Sequence, residues 1–128
     1  MKTVMVDKIS SVAQACALGP ELRLSDDIPA EEGVVIVAEI LNSKNTYNTL
    51  ELTSGRMAKV GKGDIVVGAL GPRRALFGYS GHVPERLAPG DIVQMLNIGG
   101  VMGICDAANP DKGKPFDCCV LGVVLQFP

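Results

Sequence analysis

The residues with the most chemistry to offer crowd into one stretch of this 128-residue chain. Gly63, Gly68, Gly71, Gly78 and Gly81, the adjacent Arg73 and Arg74, the Tyr79-Ser80 pair and His82 all fall between positions 63 and 82. Glycine lets a backbone approach a ligand closely and present bare N–H groups. Arginine offers a planar fork matched to phosphate or carboxylate, and Ser and Tyr hydroxyls can complete an anion shell. A second cluster, Asn97-Ile98-Gly99-Gly100-Val101-Met102-Gly103, is the candidate facing wall. The ligand-binding candidates are therefore Arg73, Arg74, Gly78, Tyr79, Ser80, Gly99 and Gly100, and the ligand expected is an anionic, phosphate-containing small molecule. A strand beginning at Arg73 would send Arg74, Leu76 and Gly78 to one face and Arg73, Ala75, Phe77 and Tyr79 to the other. Only one arginine then serves a given pocket, and Arg74 is the choice because it shares a face with Gly78. Neither cluster matches a phosphate-loop or GxGxxG pattern. The competing structural reading makes the glycines hairpin turns and sheet corners, with the arginines paired to acids or to a partner subunit.

His82 is the only histidine, and a lone imidazole can act as general base or proton switch. Its natural nucleophilic partner is Cys105, next to Asp106 in GICDAANP, which gives a small-enzyme alternative resting on His82 and Cys105. The main reading is non-catalytic. No metal site is expected: Cys118 and Cys119 are adjacent, so on a strand they face opposite ways. With Cys16 and Cys105 they are read as reduced thiols in a cytoplasmic chain, since MKTVMVDKIS lacks the apolar core of a secretory signal.

Charge is unevenly placed. The formal total is −2, with net −4 over residues 1–54, +4 over 55–86 and −2 over 87–128. The total excludes a strongly basic nucleic-acid binder, while the central block is a candidate anion-facing patch. RMAKVGKGDIVV, from Arg56 to Val67, allows a second alternative, an RNA-binding barrel using the basic segment 56–74. Such surfaces usually add exposed aromatics for base stacking, and this chain has three Phe, two Tyr and no Trp, so nucleic acid is disfavoured.

The elements that must hold these residues are short. From Val34 onward, β-type runs alternate with Gly, Pro, Asn and Asp, giving candidate strands over 34–41, 49–53, 56–59, 65–70, 74–79, 92–97, 101–105 and 118–127. Nothing between them is long enough for a well-capped helix, so parallel βαβ units are not expected. The one predicted helix lies within Ser10–Leu18, stopped by Gly19-Pro20. Val60-Gly61-Lys62-Gly63-Asp64-Ile65-Val66 and Leu87-Ala88-Pro89-Gly90-Asp91-Ile92-Val93 repeat one pattern, echoed by Glu32-Gly33-Val34-Val35. Each predicts a tight turn feeding a buried strand, with Gly supplying positive φ and Asp accepting backbone N–H groups. No run reaches the ~18 apolar residues of a membrane span.

Arg86 to Gly103, RLAPGDIVQMLNIGGVMG, resembles the strand and turn of two kinds of β-barrel: the second domains of translation factors and the flavin-binding domains of ferredoxin-reductase-like enzymes. In the flavin family an Arg-x-Tyr-Ser element stacks on the flavin and holds its phosphate. Here Arg74 to Ser80 reads RALFGYS, three residues too long, so the resemblance implies a barrel and no cofactor. The fold expected is all-β: a small antiparallel β-barrel or barrel-like sandwich with one short N-terminal helix. It forms one domain over 1–128, with 1–33 an N-terminal extension packed on it. The function expected is a binding or assembly module, as a homo-oligomer or as an accessory domain beside a larger protein partner. Self-association is suggested by the mean hydropathy of +0.26 and by CCVLGVVLQFP, which is apolar on both faces.

Overall fold

The computed structural model describes residues 2–16, 18–75, 78–108 and 113–125. Turns of one design start the central strands. In the segments ending Gly63-Asp64 and Gly90-Asp91, each glycine has φ +94, a conformation side chains rarely adopt. Asp64 Oδ2 accepts the Gly61 N–H at 3.0 Å and Asp91 Oδ2 accepts the Ala88 N–H at 2.9 Å. The Gly63 and Gly90 N–H groups reach across to the carbonyls of Ile40 and Val120, both at 2.8 Å. Gly33, with φ +90, bonds to the Leu70 carbonyl in the same way. The turns therefore close the strand starts as the repeated sequence predicts, and they stitch each start to a neighbouring strand.

The strands are β1 (Lys2–Met5), β2 (Lys8–Ile9), β3 (Glu21–Ser25), β4 (Val35–Ile40), β5 (Thr49–Glu51), β6 (Met57–Lys59), β7 (Ile65–Leu70), β8 (Tyr79–His82), β9 (Ile92–Met95), β10 (Val101–Ala108) and β11 (Asp117–Val124). A closed ring of hydrogen bonds runs β4, β7, β10, β9, β11 and back to β4. Inside it lie Ile36, Ala38, Ile40, Val66, Leu70, Val93, Met95, Met102, Cys118 and Val120, all buried in one cluster with Leu50, Leu87 and Phe116. Fully burying each of the larger aliphatics contributes about 1.5–3 kcal/mol before conformational entropy is counted.

β4 and β7 are buried on both faces, which explains their continuous VVIVAEI and IVVGAL runs. Val37 and Val67 turn outward and meet Val6, Ala13, Leu22 and Leu24 of the N-terminal segment in a second cluster. That segment is itself strand: β1 pairs with β3, β3 with β11, and β2 with β7. β11 is covered on both sides as well, with Cys118 and Val120 inward and Leu121 and Val124 against the second cluster. Residues 126 and 127 of its predicted run lie outside the described residues.

Three expectations are corrected. The N-terminal helix is only a 3₁₀ segment, Ser11–Cys16. Ser10, just before it, is fully buried, and both its N–H and its hydroxyl donate to the Val67 carbonyl, which ties the start of the segment to β7. The sheet is mixed, because β7 pairs in parallel with both β2 and β10. The intervening 30 residues, 71–100, provide the long crossover that parallel pairing requires without using a helix. The predicted strand 74–79 is not strand at Arg74, Ala75 or Gly78: Arg73 makes an isolated bridge to Gly81, β8 begins only at Tyr79, and Leu76 and Phe77 lie outside the described residues.

Candidate functional site

Where β7 ends, Leu70-Gly71 still runs beside β10, and Pro72, which has no N–H to give, breaks the ladder. Arg73 then pairs with Gly81, its N–H to the Gly81 carbonyl at 3.0 Å and the Gly81 N–H back to its own carbonyl at 2.9 Å. Ser80 clasps Ala75: its hydroxyl accepts the Ala75 N–H at 3.0 Å and lies 3.3 Å from the Ala75 carbonyl. β8 next lies along β10, with Ile104 opposite His82 and Cys105 opposite Gly81, but the register then slips so that Ala107 faces Ser80. Asp106 is the extra residue of this bulge. Bulges re-aim side chains, and here the carboxylate is brought onto His82, its two oxygens 2.8 and 2.9 Å from Nδ1.

The result is an open cleft of about 640 Å³ lined by Arg73, Arg74, Ser80, Gly81, His82 and Asp106. An ionised carboxylate only accepts, so its bond requires the imidazole proton on Nδ1 and leaves Nε2 as the free nitrogen. The His82 and Asp106 side chains are 56% and 53% exposed. A contact so solvated adds little stability, about 0–1 kcal/mol. Its effect is to orient the ring.

The two arginines have different tasks. Arg73 Nη1 donates to the Leu96 carbonyl and to the Tyr47 hydroxyl, the latter at 3.5 Å. Its guanidinium lies across Gly78, where a Cβ would come within 3.2 Å of Nη2. Gly78 therefore makes room for Arg73, the arginine that strand alternation placed on the opposite face. Arg74 is exposed and makes no hydrogen bond or ion pair with another described residue, so its fork is open to the cleft.

Other candidates lie elsewhere. Tyr79 is 1% exposed and points into the interior, its ring 5.4 Å from that of Tyr47. Lys44 donates to its hydroxyl and sits 4.7 Å from the Tyr79 ring, 5.2 Å from Phe116 and 5.5 Å from Tyr47. Burial lowers the Lys44 ammonium and raises the Tyr79 phenol from their ordinary values. Gly99 and Gly100 face the 3₁₀ segment: Val12 donates to the Gly99 carbonyl at 3.0 Å, and Gly100 packs on Ser10. Cys105 does not line the cleft. Burial pushes its thiol up, only partly offset by its 3.6 Å contact with the Ala107 carbonyl, so it stays protonated and poorly nucleophilic. Cys118, inside the core, is pushed up to about 12 by burial. Among the described residues no three His, Cys, Asp or Glu side chains gather in a metal-holding group.

The structure thus brings Arg73, Arg74, Ser80 and His82 together, and it adds Asp106, which sequence reasoning named only as the neighbour of Cys105. Comparison with protein-family models, curated proteins and solved structures finds no match, so the site itself must carry the functional argument. No helix among the described residues is long and apolar enough to cross a membrane.

Proposed function

We propose that the protein is a small β-barrel binding module whose cleft between the 72–75 loop and β8–β10 takes an anionic small molecule bearing phosphate or carboxylate. The five-strand hydrogen-bond ring around a single core supports the barrel. The observation that carries the ligand reading is Arg74, an unengaged guanidinium lining the same cleft as the free Nε2 edge of His82. A fork with no partner among the described residues is ready for a bidentate anion, and Asp106, the carboxylate lining the cleft, faces His82 rather than an arginine. Arg73 supports the floor, and Ser80 fixes the loop that carries Arg74. A small anion is favoured over RNA because Tyr79 and Phe116 are buried and Tyr47 packs against Tyr79 and Lys44, so these rings offer no exposed platform for base stacking.

A thermal-shift panel of inorganic phosphate, sugar phosphates, nucleotides, coenzyme A derivatives, flavins and dicarboxylates tests this reading. At 100 times its Kd a ligand stabilises by about 2.7 kcal/mol, which is readily seen. Stabilisation by at least one anion, abolished in Arg74→Ala, is expected. The absence of any stabilising anion, or equal stabilisation of Arg74→Ala, would sink the reading.

A further inference from the structure

We propose that the same cleft is a hydrolytic site, in which His82 acts as general base on water that attacks a carboxylic ester whose anionic end is held by Arg74. This rests on the anion-binding reading above and adds the chemistry. Three features point to it. The bulge at Asp106 turns a carboxylate onto Nδ1 with both oxygens within 2.9 Å, which fixes the tautomer with a bare Nε2. That nitrogen belongs to a ring lining an open cleft, where water and ligand can both reach it. No side-chain nucleophile competes among the described residues: the Ser80 hydroxyl is spent on Ala75, and Cys105 is outside the cleft.

The ester class follows from the charge available. Phosphoryl transfer spreads charge over three oxygens and calls on several cationic donors. One free guanidinium suits an anionic handle on a substrate whose reacting centre is a neutral carbonyl.

In the first step Nε2 takes one proton from water as the water oxygen bonds to the carbonyl carbon, and the carbonyl electron pair moves to its oxygen. When that pair returns, the bond from carbon to the alcohol oxygen breaks. The Nε2 proton passes to the departing alkoxide, so ester and water become acid and alcohol and the imidazole is restored. Asp106 is a positioning residue throughout. General-base assistance supplies about 10²–10⁴-fold, so turnover is modest.

The test uses 4-nitrophenyl hydrogen succinate as an anionic ester and 4-nitrophenyl acetate as its neutral counterpart. Wild type is expected to cleave the succinate ester at least tenfold better in kcat/KM, and His82→Gln to fall to the buffer rate. Arg74→Ala should raise KM at least tenfold. Asp106→Asn should lower kcat at least a hundredfold with KM unchanged. It should also move the imidazole proton from Nδ1 to Nε2 in long-range ¹H–¹⁵N spectra, a readout that a merely structural role would not shift and that a single histidine makes unambiguous. Equal succinate hydrolysis by wild type and His82→Gln overturns the proposal. If phosphate still binds in that case, only the catalytic inference falls; if phosphate does not bind either, the anion-binding reading falls with it.

Discussion

Replacing Gly103 by alanine probes the junction on which the cleft depends. β10 changes partners here, leaving β7 after Met102↔Leu70 and joining β8 at Ile104↔His82. A Cβ on Gly103 would lie 2.6 Å from the His82 carbonyl oxygen and 3.1 Å from that of Gly71, where ordinary contact begins at 3.4 Å. Both obstacles are backbone, so no side chain can swing aside, and the strands must part by about 0.8 Å on the β8 side. Overpacking of this kind costs about 1–3 kcal/mol. The weakened Gly71 N–H to Met102 carbonyl bond, now 3.0 Å, adds up to about 1 kcal/mol. Against this stands a gain of about 0.4–1 kcal/mol from a less flexible unfolded chain. The net expectation is a loss of about 2 kcal/mol, roughly an 8 °C fall in Tm for a chain of this size. Gly19→Ala is the control, because nothing lies within 4 Å of its Cβ and its φ is outside the left-handed region. Urea unfolding at unchanged m-value measures both. If Gly103→Ala comes within about 0.5 kcal/mol of Gly19→Ala, the close approach of β8 and β10 is wrong, and the His82–Asp106 geometry loses its support.

Two further predictions concern the interior. The Cys118 thiol is held protonated to about pH 12 against an ordinary value of 9.0, so its contribution to stability is complete below about pH 9 and is lost as pH rises toward 12. The slope is about 1.4 kcal/mol per pH unit, so the stability difference between wild type and Cys118→Val should move by about 2 kcal/mol in the variant's favour between about pH 8 and 10.5. A constant difference by urea unfolding contradicts the buried thiol. Lys44→Met keeps the aliphatic stem but removes the ammonium from three rings and from the Tyr79 hydroxyl, and should cost about 1–2 kcal/mol near pH 7. Because burial lowers the Lys44 ammonium, wild type gains stability as pH rises from its folded toward its unfolded pKa, and the Met variant lacks that rise. A Met variant more stable than wild type at pH 7 would refute the cage.

Local chemistry was the legible part of the sequence. The Gly63-Asp64 and Gly90-Asp91 turns are written within four residues each, and β4 and β7 follow from continuous β-branched runs bounded by such turns. β3 was hidden although ELRLS alternates with Leu22 and Leu24 buried, because its partners, β1 and β11, lie at opposite ends of the chain. Parallel pairing of β7 with β10 is likewise a long-range fact that no local pattern encodes. At the site, the residue types were readable but their directions were not. Alternation failed around Arg73 and Arg74 because Pro72 and the Ser80–Ala75 clasp take the chain out of strand there, and Tyr79, chosen for its hydroxyl, points inward to Lys44. Asp106 reaches His82 through a one-residue register slip, and nothing in GICDAANP marks where a bulge will fall.

The proposed function gives the anion to Arg74 and leaves Arg73 a structural task. Titrating the protein with inorganic phosphate while following the arginine side-chain Nε–H and His82 imidazole resonances tests it most directly. A saturable shift of Arg74 and His82 with Arg73 unmoved, lost in Arg74→Ala, is the predicted result. An unmoved Arg74, or equal phosphate affinity in wild type and Arg74→Ala, would contradict the account.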